Sequence, residues 1–167
     1  MNDQAHRKIA LAGAPMVGKT MLLYGLKRRN PQHQLTVDAD ETKRITSLDI
    51  ALPQRHIQVM TASGAFVNDT VIPTVLTNAT VVVYVISAFA CINLQLPDFK
   101  EYVTCAAQVG THWDDIPWLF VLNKVDLTDQ NPLLEYIPPH FHDTIIRCVA
   151  VEDKGVDELW QWMLNAI

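Results

Sequence analysis

Apolar positions along this chain fall into two repeating patterns, short β-branched runs and stripes at helical spacing, and the two alternate. Lys8, Ile9, Ala10, Leu11 and Ala12 read as a short buried strand running into Gly13, and residues 19–29 read as a helix. Residues 30–41 are polar, with Asp38, Asp40 and Glu41 and little periodicity, which predicts a mobile loop. Residues 46–52 and 56–60 are strand candidates separated by Pro53, Gln54 and Arg55, a connection short enough for a hairpin.

The run 80–86 is continuous and β-branched, as expected where helices cover both faces of a parallel strand, so it is predicted to be central. From Asp98 onward, Phe99, Tyr102, Val103, Ala106 and Val109 recur at helical spacing, and residues 118–122 and 145–149 read as two further strands. Val156, Leu159, Trp160, Met163 and Ile167 form one stripe of a terminal helix expected to pack on the sheet. The alternation predicts an α/β fold with an open, mostly parallel central sheet and helices on both faces, in which ligands bind at the carboxyl ends of the strands.

A chain of 167 residues and 18.8 kDa with 49% hydrophobic residues can bury one sizeable core, so a single domain over 1–167 is expected. Thirteen basic against 18 acidic residues, formal charge -5, leave no clustered positive face, and nucleic acid is excluded as an expected partner. Cys91, Cys105 and Cys148 are far apart and without CxxC spacing, so they are expected to be small buried hydrophobes in a reducing compartment. The first residues do not resemble a signal peptide, the apolar run 79–90 is too short for a membrane helix, and the last three residues carry no lipidation cysteine. A cytoplasmic protein without a direct membrane anchor is expected. His112, His140 and His142 lack metal spacing and are expected at the surface.

Gly13, Ala14, Pro15, Met16, Val17, Gly18, Lys19 and Thr20 match GxxxxGK[ST] at each fixed position, between a predicted strand and a predicted helix. In that setting backbone N–H groups and a helix N-terminus cradle phosphates, with Met21 following in the first helical turn. Lys19 would neutralise phosphate charge, and the Thr20 hydroxyl would ligate Mg²⁺.

Asn123, Lys124, Val125 and Asp126, followed by Leu127, stand at the carboxyl end of the predicted 118–122 strand. A carboxylate there can accept two hydrogen bonds from guanine donors that adenine does not offer, which would reject ATP.

With GAPMVGKT and NKVD in this order, the whole chain resembles the Ras-like small GTPases, a P-loop NTPase family. The resemblance implies that Asn123 braces the phosphate loop, Lys124 packs along the base and Asp126 reads guanine, with GTP or GDP and Mg²⁺ as cofactors. Val149, Ala150 and Val151 look like the family's SA-containing loop, which contacts the base through its backbone; Val149 replaces the Ser.

The pattern departs from the family at DxxGQ. Thr61, Ala62, Ser63, Gly64 and Ala65 occupy that segment, so Gly64 is kept while Thr61 and Ala65 replace the metal-orienting Asp and the water-positioning Gln. The MglA-type polarity GTPases of bacteria, which carry TxPGQ, are the most similar subgroup, and the 49–52 stretch is similar to theirs as well. Hydrolysis would draw on Lys19 and Gly64 and is expected to be slow or partner-assisted, because phosphoryl transfer depends on positioning water and neutralising charge. Thr46, then Thr42, are the candidates for a second metal-binding hydroxyl, with Asp38 and Asp40 behind them. Pro15 and Met16 should project toward the γ-phosphate side and obstruct an arginine supplied in trans.

Two readings follow. One is a guanine-nucleotide switch whose loops, near 30–46 and 64–74, respond to the γ-phosphate and act on a protein partner. The other is a non-hydrolysing, nucleotide-binding adaptor. The resemblance implies a roadblock-type dimer as partner. A P-loop kinase or ATPase is a weaker third reading, since no acceptor-binding insertion or Walker-type acidic strand end is present.

Overall fold

The computed structural model describes residues 5–32, 34–37, 45–62 and 71–167. Among the described residues seven strands form one sheet, β1 (Ala5–Ala12), β2 (Gln34–Val37), β3 (Ile45–Leu52), β4 (Arg55–Ala62), β5 (Val81–Ser87), β6 (Trp118–Asn123) and β7 (Ile146–Cys148), in the order β2-β3-β4-β1-β5-β6-β7. The strands from β4 through β1, β5 and β6 to β7 run parallel, β3 joins that edge antiparallel to β4, and β2 pairs antiparallel with β3. Helices α1 (Lys19–Arg29), α2 (Val71–Leu76), α3 (Ile92–Val109) and α4 (Val156–Ala166) complete an α/β architecture.

Two cores lie on opposite faces of the sheet because successive side chains of a strand point to opposite sides. Ile9, Leu11, Val83, Val85, Leu119 and Val121 meet α1 and α4 through Leu22, Leu26, Val156, Leu159 and Met163. Ala10, Val82, Tyr84, Ile86 and Phe120 meet α2 and α3 through Ile72, Val75, Phe99, Tyr102 and Ala106. Each residue of β5 is buried, which explains why its sequence shows a continuous apolar run rather than alternation.

Several expected bounds shift. Residues 34–37 form β2 within the segment predicted as loop, because the outer edge of β3 offers backbone groups that Leu35 and Thr36 pair with, opposite Leu48 and Ser47. α3 begins at Ile92, six residues before the periodic stretch expected from Asp98, with Pro97 inside it. The missing N–H of Pro97 removes one rung of the helical ladder, but the preceding turn is held by Gln95, buried at 1% exposure and bonded to Ser87 and Ala90. Cys105 and Cys148 are buried, whereas Cys91 is exposed, contrary to the expectation for all three, because it caps the head of α3 and not its packed face. Among the described residues no helix is long and apolar enough to cross a membrane.

Candidate functional site

Three loops meet at the carboxyl ends of β1, β6 and β7. The first, 13–20, leaves β1 at Gly13 with φ 136, where a β-carbon would collide with the Val85 carbonyl. Val17 turns inward and is fully buried, anchoring the loop. Gly18 has φ 103, and a β-carbon there would strike Nδ2 of Asn123. α1 then starts at Lys19 with no side-chain cap on its first turn and no acidic residue in it, while Lys27, Arg28 and Arg29 occupy its last turn. The free N–H groups and the helix dipole leave positive potential at the Lys19 end.

Lys19 adds to that potential. The residue is 6% exposed, and its ammonium donates to the carbonyls of Gly13 and Ala14, both at 2.7 Å. Burial pushes its pKa down to about 8, opposed by the charge of Asp98. Two carbonyl dipoles are weak compensation for a dehydrated cation, so an arriving anion would meet a group ready to pair with it.

The second loop is joined to the first by side chains that end β6. Asn123, 2% exposed, donates through Nδ2 to the Val17 carbonyl at 2.9 Å and accepts at Oδ1 from the Ala150 N–H at 3.0 Å. Lys124 donates from Nζ to the Met16 carbonyl at 2.8 Å. The third loop, 149–155, includes a 3-10 turn at Ala150–Glu152 and is held to α1 by charge. Arg28 donates to both carboxylate oxygens of Asp153, through Nε at 2.9 Å to one of them, and Arg29 donates through Nη2 to Asp157 at 3.0 Å and to the Asp153 carbonyl at 3.1 Å.

Two adjoining hollows result. One, of about 250 Å³, is walled by Gly18, Met21, Asn123, Lys124, Asp126, Leu127, Val149, Ala150 and Val151. The other, of about 330 Å³, is walled by Met16, Gly18, Lys19, Thr20, Met21, Ala62 and Lys124. Gly18, Met21 and Lys124 belong to both walls. The first has a solvent-facing carboxylate, Asp126, and apolar lips at Leu127 and Val151; the second has the Lys19 ammonium and the head of α1. Together they suit an elongated ligand with an anionic end and a flat, hydrogen-bond-donating end.

Of the residues singled out in sequence, Ala14 and Val17 face the core, and Pro15 lies on the far side of the loop beside α3. Thr46 sits within β3 at 5% exposure, registered between Val37 and Thr61, and lines neither hollow. Thr61 is fully buried, and its hydroxyl donates to the Leu11 carbonyl at 2.8 Å, so it is committed inside the sheet. For a Mg²⁺ ion, the described residues therefore supply Thr20 in the wall of the second hollow, and no cluster of three His, Cys, Asp or Glu side chains occurs among them. Gly64, Ala65, Thr42, Asp38 and Asp40 lie outside the described residues.

Sequence reasoning missed Arg28, Arg29, Asp153 and Asp157. The basic end of α1 is visible as Lys27, Arg28 and Arg29, but nothing in the spacing pairs it with acids more than a hundred residues away. No protein-family model matches the chain, and no curated protein matches it in sequence.

Proposed function

We propose that this protein binds a guanine nucleotide with the P-loop arrangement of the small GTPases, and that it acts as a molecular switch with slow or partner-assisted GTP hydrolysis. The observation that carries this reading is the pair of adjoining hollows, in which Asn123 bonds the 13–20 loop and the 149–151 turn at once. The phosphates would lie over the head of α1 against Lys19. The base would lie between the Lys124 stem and the 149–151 turn, with Asp126 accepting from its ring donors. Mg²⁺ would be held by Thr20 together with phosphate oxygens and would neutralise charge on them.

The adaptor reading is favoured by one specific observation. Thr61, where the resemblance expects a metal-orienting carboxylate, spends its hydroxyl on the Leu11 carbonyl and brings no negative charge to the site. Binding would persist while turnover fell away, because turnover needs metal-orienting and water-positioning groups that binding can do without.

Calorimetric titration of nucleotide-stripped protein with GDP, GTP and ATP in Mg²⁺ tests the reading, with Asp126→Ala as control. Guanine-selective binding that the substitution removes is the expected result; equal binding of ATP, or none of any nucleotide, refutes it. GTP turnover in the same samples separates switch from adaptor.

A further inference from the structure

On the other side of the 13–20 loop lies a larger groove, of about 660 Å³, that the nucleotide reading leaves unused. One wall is the head of α3, where Cys91, Leu94, Gln95 and Asp98 fall on one helical face by their spacing. Pro15, Met16 and the stem of Lys124 form the opposite wall, and Ser87, Phe89 and Ala90 close the end.

The groove is pre-formed. Gln95 accepts from the Ser87 N–H at 2.8 Å and donates to the Ala90 carbonyl at 2.9 Å, and Asn131 donates to the Ser87 and Ala90 carbonyls at 2.8 and 3.0 Å. Those two buried amides fix the 87–91 turn from beneath. A rigid, mainly apolar concavity of this size with a few placed polar groups is the usual form of a binding site.

Its polar groups show what it would take. Gln95 spends its amide on the turn, Ser87 accepts at its hydroxyl from the Ala90 N–H at 3.2 Å, and Lys124 points at the Met16 carbonyl. Asp98 is half-buried and has no hydrogen bond or ion pair among the described residues. Burial raises its carboxyl pKa, while the charge of Lys19, enclosed behind the loop, pulls it back. A half-buried, unpaired carboxylate calls for a cation.

The rim shows what would carry that cation. Met16 is 88% exposed, Leu94 70% and Phe89 69%, so large apolar side chains extend beyond the hollow itself. A small amine would fill the groove and leave them in water, whereas a polypeptide would cover them.

We propose that the groove between the head of α3 and the Pro15–Met16 turn docks a protein partner through an arginine or lysine side chain flanked by apolar residues, its cation paired with Asp98. The cation is held on the α3 side and takes no part in chemistry at the phosphates. The proposal goes beyond the nucleotide reading and does not depend on it.

The test uses full-length, nucleotide-free protein carrying labelled methionine methyl groups, observed by NMR. The probe is the capped pentapeptide leucine-leucine-arginine-leucine-leucine, compared with the same peptide carrying citrulline, which keeps the shape and removes the charge. Saturable movement of the Met16 methyl by the arginine peptide is expected, with binding at least about tenfold weaker for citrulline, the equivalent of one charge-assisted hydrogen bond. Asp98→Asn should remove that difference while leaving citrulline binding unchanged, and Leu94→Ser should weaken both peptides. Equal binding of the two peptides, no effect of Asp98→Asn, or an unmoved Met16 methyl overturns the proposal. Phenylpropylamine binding as tightly as the arginine peptide also overturns it, in favour of a small-molecule site. So does self-association of the free protein that Asp98→Asn abolishes, which would make a second copy the occupant.

Discussion

Lys124 donates to the backbone carbonyl of Met16 at 2.8 Å, and both residues hold left-handed backbone, with φ of 64 and 63. Two non-glycine residues thus bear unfavourable conformations where the second loop rests on the first. Conformations of this kind persist where surrounding contacts over-determine them.

Met16 contributes little to packing in return, since its side chain is 88% exposed. Met16→Gly should therefore stabilise the fold by about 1 kcal/mol, the left-handed penalty less the added flexibility of the unfolded chain. Thermal unfolding of the two proteins measures it, and a lower midpoint for the glycine variant would show that the turn is held by the methionine after all.

Asn123→Ala should be costly in a different way. It leaves the Val17 carbonyl and the Ala150 N–H without their partners in a buried setting, and a buried polar group left unpaired costs about 1–3 kcal/mol. A loss of about 2–6 kcal/mol in urea unfolding is expected from the pair. Asp126→Ala, at an exposed position, should leave the urea midpoint unchanged, so the two variants separate bracing from contact with a ligand.

The Arg28 bridge gives a pH signature. Its hydrogen bond to Asp153, followed by the charges of Arg28 and Arg29, holds the Asp153 carboxyl below its ordinary value of 3.8. A depressed carboxylate pKa contributes stability that is present above the ordinary value and lost as pH falls through the folded one. Arg28→Met should lower the urea midpoint slightly at neutral pH, the bridge being solvent-exposed. The gap from the parent protein should close as pH drops below 3.8. A gap that stays constant through acid would assign the effect to lost packing of the arginine stem.

What could be read from the chain follows from how local each signal is. The passage from β1 through the 13–20 loop to α1 was legible almost to the residue, because glycines, the apolar run and the basic helix end are neighbours in sequence. The walls of the smaller hollow were also legible, since NKVD and the 149–151 turn each carry a pattern of their own. β2 was not: its residues Leu35 and Thr36 are in a strand because of Leu48 and Ser47, and an added edge strand needs backbone pairing more than a side-chain pattern. The head of α3 was hidden by Pro97, which marks a break when read alone and is tolerated here because Gln95 fastens the turn before it. The Arg28 and Asp153 pair, 125 residues apart, left no local trace.

The bond from Asn123 to Val17 spans 106 positions, and the same side chain waits on Ala150 a further 27 along. During synthesis the 13–20 loop must therefore emerge long before the residues that brace it, since domains are made from the N-terminus onward. A nascent chain ending before β6 would carry the 13–20 loop complete in sequence yet unsupported. Closure at Asn123 therefore waits until Ala150 has been made, and a settled 13–20 loop would report that β6 and the 149–151 turn are in place.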